Sequence, residues 1–193
     1  MAPFLLTAML LPAVAASDYA RIIIVSSISQ SSRLDWDDLE MQKGFSAHGS
    51  YSSSKLCNAM HAVELAARLR AAGSHVTCNT LDPGTVNTKM LLAGWGDCGI
   101  PVDRANNQHY LATSPEVQGI PRSPSPRGQA GCVPLCGAAT LRLTRCPGDR
   151  TGKSGLYFVG GRETRPSMPC QDAEQRARLW TILEEATSAV YKF

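Results

Sequence analysis

No stretch of this 193-residue chain reaches the roughly 18 to 20 consecutive apolar residues that a membrane-spanning helix requires, so no integral membrane segment is expected. Charge is sparse. At 18% charged residues and a formal net charge of +3, the chain lacks the field of a nucleic-acid-binding domain, and no nucleic-acid partner is expected. What excess there is lies in one segment: residues 121–153 carry Arg122, Arg127, Arg142, Arg145, Arg150 and Lys153 against the single acid Asp149. The seven cysteines are odd in number and follow no regular spacing, which excludes a disulfide framework and makes a reduced, intracellular compartment the expectation. Cys132, Cys136 and Cys146 lie near one another without a second pair or a histidine to close a four-ligand zinc site, so no metal is expected either. A phosphate loop is missing as well. "GDRTGKS" (Gly148 to Ser154) has three residues between its glycines where the motif needs four, and no strand pattern precedes it.

What remains is ordinary globular composition, 44% hydrophobic, in a chain long enough for one domain with a real core. The N-terminal "MAPFLLTAMLLPAVAASDYA" admits two readings. It has the apolar run and small residues of a secretory leader cleaved near Ala16, and it equally suits a buried helix from Phe4 to Val14. The first basic residue is Arg21, after the run, which favours the helix.

"RIIIVSS" (Arg21 to Ser27) is a β-branched run of the kind found in strands buried on both faces. A polar stretch with Trp36 and several acids follows, and Ile28 to Ser50 reads as a long loop. From Tyr51 to Ala72, Leu56, Ala59, Met60, Val63 and Ala67 recur at helical spacing, with Glu64 and Arg68 as an exposed ion pair, and Gly73 stops the helix. "HVTCNTL" (His75 to Leu81) reads as a second strand closed by Asp82-Pro83-Gly84. Strand, helix, strand in this order implies a parallel sheet and an α/β layered fold. Ligands in such folds bind beyond the carboxyl ends of the strands, where Ser26, Ser27 and Asp82-Pro83-Gly84 fall.

Beyond Lys89 the pattern is irregular to Ile120, apart from a short helix expected around Asn106 to Thr113. Residues 121–153 hold five of the twelve prolines and neither periodicity, and read as a disordered or aberrant insertion. "GLYFVGG" (Gly155 to Gly161) restores a short strand. Gln171 to Val190 then predicts a terminal helix, with Asp172 and Gln175 spaced as a cap and Leu179, Ile182, Leu183 and Ala186 on one face. Trp95 and Trp180 read as packing residues.

One short motif bears on chemistry. Tyr51 and Lys55 in "YSSSK" stand four residues apart, one turn apart on one helical face. With five tyrosines and five lysines, such a spacing arises by chance in about one chain in eight, so it means little alone. The chemistry it permits is specific. A phenol titrates near 10 and is a poor base at neutral pH, and a cation one turn away favours its phenolate.

In order along the chain, "RIIIVSS", "YSSSKLCNAMHAVELAARL", "DPGTVNT" and "RARLW" resemble the C-terminal half of a short-chain dehydrogenase/reductase. The similarity is greatest to the retinol-dehydrogenase-like branch that includes the WW-domain-containing oxidoreductase. The resemblance covers residues 3–120 and 154–190. It implies part of a Rossmann-type doubly wound parallel sheet and hydride transfer between a nicotinamide cofactor, NADP(H) rather than NAD(H), and a small lipophilic carbonyl or alcohol. By motif position it makes Tyr51 the acid/base and Lys55 the group that tunes it and holds the nicotinamide ribose. Ser27, in preference to Ser26, orients the substrate oxygen. Pro83, Gly84 and Thr88 face the nicotinamide.

The family's glycine-rich pyrophosphate turn and its Asn-Ala-Gly segment have no counterpart here. The resemblance begins at "APFLLTAMLLP", which corresponds to an internal helix of the family, and a segment like "YLATSPEVQGI" there runs almost directly into one like "SGLYFVGG". One incomplete dehydrogenase domain over residues 1–193, interrupted by 121–153, is therefore the expectation. The competing reading is an inactive fragment that serves, if at all, as a binding protein.

Overall fold

The computed structural model describes residues 1–118 and 152–193. Four strands among the described residues form one sheet in the order β1-β2-β3-β4: β1 (Arg21–Val25), β2 (Thr77–Asp82), β3 (Tyr157–Val159) and β4 (Arg162–Thr164). β1, β2 and β3 run parallel, with Arg21 opposite Thr77 and Thr80 opposite Tyr157, and β4 returns antiparallel to β3. The hairpin turns on Gly160 and Gly161, both at positive φ. The α/β class and the parallel sheet follow the sequence pattern.

The long helix α2 (Ala47–Ala71) packs one face of this sheet, with α1 (Ala2–Ala15), α6 (Met168–Gln171) and α7 (Ala173–Thr187) around it. The opposite face is covered by α4 (Asn107–Thr113), whose Leu111 meets Leu81 and Phe158. Helices on both faces make the sheet doubly wound. Leu56, Ala59 and Met60 of α2 are fully buried as their helical spacing predicts, but Val63 and Ala67 are only half-buried, and Ala62, Leu65 and Leu69 take the buried places further along.

β2 is buried along its whole length although "TCNTLD" is largely polar. Two of its polar side chains find partners in the neighbouring backbone. Thr80 Oγ1 donates to the Ile24 carbonyl at 2.8 Å, and Asn79 donates to the Lys153 carbonyl at 2.7 Å while accepting from Leu156 N–H at 3.1 Å. Asn79 and Thr80 therefore cost little in this strand, because each bond replaces one to water, whereas the Thr77 hydroxyl is buried without a partner.

Several expectations are corrected. β1 is not buried on both faces: Ile22 and Ile23 are half-buried and Val25 is exposed, because β1 is the edge of the described sheet. The loop from Ile28 ends sooner than expected. α2 begins at Ala47, where the Ser46 hydroxyl accepts from Gly49 N–H at 3.2 Å, so Tyr51 sits in the second turn. The stretch after Lys89 contains two further helices, α3 (Lys89–Trp95) and α5 (Pro115–Gln118). Each is short enough for its periodicity to escape notice. The terminal helix is broken at Asp172, whose carboxylate caps α7 by accepting from Glu174 and Gln175 N–H. Leu179 and Leu183 are buried as expected but Ala186 is exposed, and Trp180 takes the buried place instead. The expected insertion, apart from residues 152 and 153, lies outside the described residues.

The Glu64–Arg68 pair is present at 2.9 Å but is not a surface pair. Glu64 is buried, and its second oxygen accepts from Arg176 of α7 at 3.2 Å, while the Arg68 guanidinium stacks 4.3 Å from the centre of the Trp180 ring. Two cations on one buried carboxylate tie α7 to α2.

The same region holds an aromatic cluster of Phe4, His61, Trp180, Tyr191 and Phe193. Tyr191 Oη donates to the Phe4 carbonyl at 2.8 Å, which leaves it to accept from His61 Nε2 at 2.9 Å. His61 is thus the Nε2–H tautomer. Burial depresses its pKa from 6.5 to about 4. The folded state therefore favours neutral His61, and the unfolded chain takes up the proton first as pH falls. That stability is whole above pH 6.5 and is lost on acidification toward pH 4, by on the order of 3 kcal/mol. Thermal unfolding midpoints measured between pH 7.5 and 4 should fall across this window, and the fall should be smaller in His61→Gln.

Candidate functional site

Three segments converge at the carboxyl ends of β1 and β2. The first is Ser26 to Ser31. Ser26 N–H continues the ladder to the Leu81 carbonyl at 2.7 Å, and its Oγ donates to the Lys55 carbonyl at 2.7 Å. Ser31 N–H donates to the Ser52 carbonyl at 3.0 Å. Asn58 of α2 donates from its side chain to the Val25 carbonyl at 3.1 Å. The strand end is thereby sewn to the helix turns that carry Tyr51 and Lys55.

The two serines differ in what their hydroxyls are free to do. Ser26 is 1% exposed and its proton is committed to Lys55 O. Ser27 Oγ accepts from Ser29 N–H at 3.1 Å, which leaves its own proton for another acceptor. Tyr51 and Lys55 are both half-buried, and the Lys55 ammonium lies 5.4 Å from the centre of the Tyr51 ring. Among the described residues, no hydrogen bond engages the Tyr51 hydroxyl or the Lys55 ammonium.

The third segment follows β2. Asp82 is 4% exposed. Its Oδ1 accepts from Ile28 N–H at 2.9 Å, its Oδ2 accepts from Gly84 N–H at 2.8 Å, and its carbonyl accepts from the buried Asn107 side chain at 2.7 Å. The sequence pattern marks Asp82 only as a turn residue, and nothing in its spacing signals these bonds. Pro83 is half-buried and Gly84 is exposed. Gly84 has φ of +84°, a conformation that disfavours any side chain, and the space where a Cβ would stand is open. Thr88 is exposed and caps α3 by accepting from Leu91 N–H.

From Thr85 the chain folds back on itself. Val86 bridges Ile100, and Asn87 pairs with Gly99 through its side-chain amide in both directions, at 2.8 and 3.0 Å. A Cβ on Gly99 would stand 2.5 Å from the Thr85 carbonyl, so this closure requires glycine. α3 is carried on the resulting loop.

The structure thus brings Ser27, Tyr51, Lys55, Pro83 and Gly84 to one end of the sheet, with Thr88 at the foot of the adjoining loop. Among the described residues, the cysteines take no part. Burial pushes Cys57 up to about 11 and Cys170 up to about 12, so both are thiols at neutral pH, and no group of three or more metal-ligating side chains occurs among the described residues. A cleft of about 400 Å³ between Gly155–Tyr157 and Glu163–Pro166 lies elsewhere and contains none of these groups.

A mostly parallel sheet covered on both faces, with polar loops gathered at its carboxyl edge, is the doubly wound class of α/β fold, in which ligands bind at that edge. The comparisons narrow this. Human retinol dehydrogenase 14 is 36% identical over 132 residues, 61% of this chain and 39% of that protein. Mouse retinol dehydrogenase 13 is 33% identical over 185 residues, 92% of this chain and 48% of that protein, and zebrafish polyprenol dehydrogenase is 29% identical over 182 residues, 92% and 50%. A solved structure of an uncharacterised protein from Mycobacterium paratuberculosis shares the fold, with a TM-score of 0.61 at 23% identity over 98% of this chain and 57% of that one. No family model matches. Over nine-tenths of its own length the chain is thus similar to part of the short-chain dehydrogenases/reductases of the retinol-dehydrogenase-like branch. It spans half or less of the length of these curated relatives.

The Ser26 bond to the helix is the simplest of these contacts to test. Ser26→Ala should lower stability by about 1 kcal/mol, seen as a fall of roughly 2–4 °C in the unfolding midpoint. An unchanged midpoint would show that the strand end does not depend on it.

Proposed function

We propose that this chain carries the proton-transfer site of an oxidoreductase that interconverts a lipophilic alcohol and its carbonyl, with NADP(H) in preference to NAD(H). The observation that carries the reading is the Lys55 ammonium 5.4 Å from the Tyr51 ring, on the helix turn to which the serine segment is bonded. The names of the relatives, retinol and polyprenol dehydrogenases, support the substrate class.

The residues present fit the nicotinamide end of such a cofactor. Gly84 offers exposed backbone with nothing within 4 Å of where a Cβ would stand, Thr88 is exposed four residues further on, and Tyr51 and Lys55 are within reach of solvent. Pro83, Gly84, Thr88, Tyr51 and Lys55 would hold that end. Among the described residues, no glycine-rich turn joins a strand to a helix for the pyrophosphate. The cofactor, when bound, supplies or accepts the hydride.

The chain's own groups manage the proton. Tyr51 Oη gives a proton to the carbonyl oxygen in reduction and removes it from the hydroxyl in oxidation. Lys55 offsets the negative charge on Tyr51 Oη while the proton is away. Ser27 Oγ, whose proton is uncommitted within the chain, donates to the same substrate oxygen and fixes its position.

A second reading, a binding protein without turnover, has its own observation. β1 has no strand on its outer edge among the described residues, and Leu6, Met9 and Leu10 expose an apolar face of α1. Cofactor binding separates the two. A thermal shift or fluorescence change with NADPH supports the oxidoreductase, and none with either NADPH or NADH supports the binding protein.

Two variants test the chemistry. Tyr51→Phe should abolish turnover and leave cofactor affinity nearly intact, whereas Lys55→Ala should weaken both, read as kcat and as cofactor Kd. Retention of most activity by Tyr51→Phe would refute the assigned acid/base.

A further inference from the structure

The buried acid that the sequence pattern did not mark has the connectivity of a clamp. Asp82 spends each carboxylate oxygen on a different loop: Oδ1 on Ile28 N–H, next to Ser27 in the loop after β1, and Oδ2 on Gly84 N–H, in the turn after β2. Its carbonyl is held by Asn107 of α4, so the clamp is itself anchored to the opposite layer. Only a carboxylate serves both loops. An amide in its place has one accepting oxygen, and its NH2 group would face a backbone N–H, donor against donor. A strand-end turn needs no such arrangement, since Gly84 at positive φ already closes it.

We propose that Asp82 is a positioning residue of this site: its carboxylate holds the Ser27 loop and the Pro83-Gly84 turn in one register, so that the substrate-orienting hydroxyl and the cofactor-facing turn move as a single body. The inference rests on the reading of Ser27, Pro83 and Gly84 given under Proposed function. It adds that the two halves of that site communicate through a group that touches neither substrate nor cofactor. A misplacement of about 1 Å between such groups costs about 100-fold in rate, which is the benefit of coupling them.

Nuclear magnetic resonance reads the clamp directly. In the unmodified chain, the Ile28 and Gly84 amides should both show through-hydrogen-bond correlations to the Asp82 carboxylate carbon, a measurement that depends on no variant folding. On titration with NADPH, the Gly84 and Ile28 amides should shift together. In Asp82→Asn, NADPH should still shift Gly84 but leave Ile28 in place, and amide exchange should quicken at least tenfold at one or both residues while Thr80 in β2 stays protected. A residue that merely stabilised the fold would not change which amides answer the cofactor.

Missing correlations in the unmodified chain, or an Ile28 that follows NADPH equally well in Asp82→Asn, overturns the clamp. If neither NADPH nor NADH shifts any amide of the unmodified chain while both correlations are seen, it is the functional reading that falls, and with it the positioning role.

Discussion

The burial of α2 is the constraint on which the rest of the described structure depends. Its apolar positions from Leu56 to Leu69 pack on the sheet, on α1 and on α7 at once, and the polar residues of its early turns emerge at the carboxyl ends of the strands as a consequence. Fully burying one such leucine is worth about 1.5–3 kcal/mol. Leu56, Leu65 and Leu69, with Met60 beside them, leave the helix no freedom to rotate or slide. Tyr51 and Lys55 are thereby fixed with respect to β1, and the Ser26 and Asn58 bonds add direction to a placement the hydrophobic core has already decided.

Around that helix the polar interactions divide by purpose. On one side, Glu64 between Arg68 and Arg176, and His61 against Tyr191, are buried pairs that bring distant elements into contact and must be satisfied once there. They specify how α7 and the C-terminal residues dock. At the strand ends, by contrast, the bonds from Ser26 and Asp82 leave reactive groups uncommitted. Ser27 keeps its proton, and the Tyr51 hydroxyl and Lys55 ammonium take no hydrogen bond from their neighbours. The buried carboxylate of Glu64 is fully engaged by its two cations, whereas the hydroxyl and ammonium groups of the proposed chemistry are open.

Much of this was legible in the residues. "RIIIV", the spacing of Leu56, Ala59, Met60 and Val63, and the stop at Asp82-Pro83-Gly84 were enough for a parallel α/β unit, because each is a local pattern of burial or of backbone restriction. Tyr51, Lys55, Ser27 and Pro83-Gly84 could be named because ordered motifs carried them. The rest depended on contacts distant in sequence. Whether β1 is central or at an edge is decided by its neighbours, which its own apolar run does not encode. That Glu64 is buried is decided by Arg176, 112 positions away, and the importance of Asp82 by where Ile28 and Asn107 arrive. Short helices such as α3 and α5 present too few turns for a periodicity to stand out.

The bond from Tyr191 to the Phe4 carbonyl joins residues 187 positions apart, and it sets an order of events during synthesis. At translation rates of 5 to 20 residues per second, some 10 to 40 seconds separate the making of α1 from the making of the tyrosine that holds its first turn. Through that interval α1, apolar on nearly every side, lacks the aromatic partners that complete its seat. The growing chain therefore presents a greasy helix long before Tyr191 arrives to claim it.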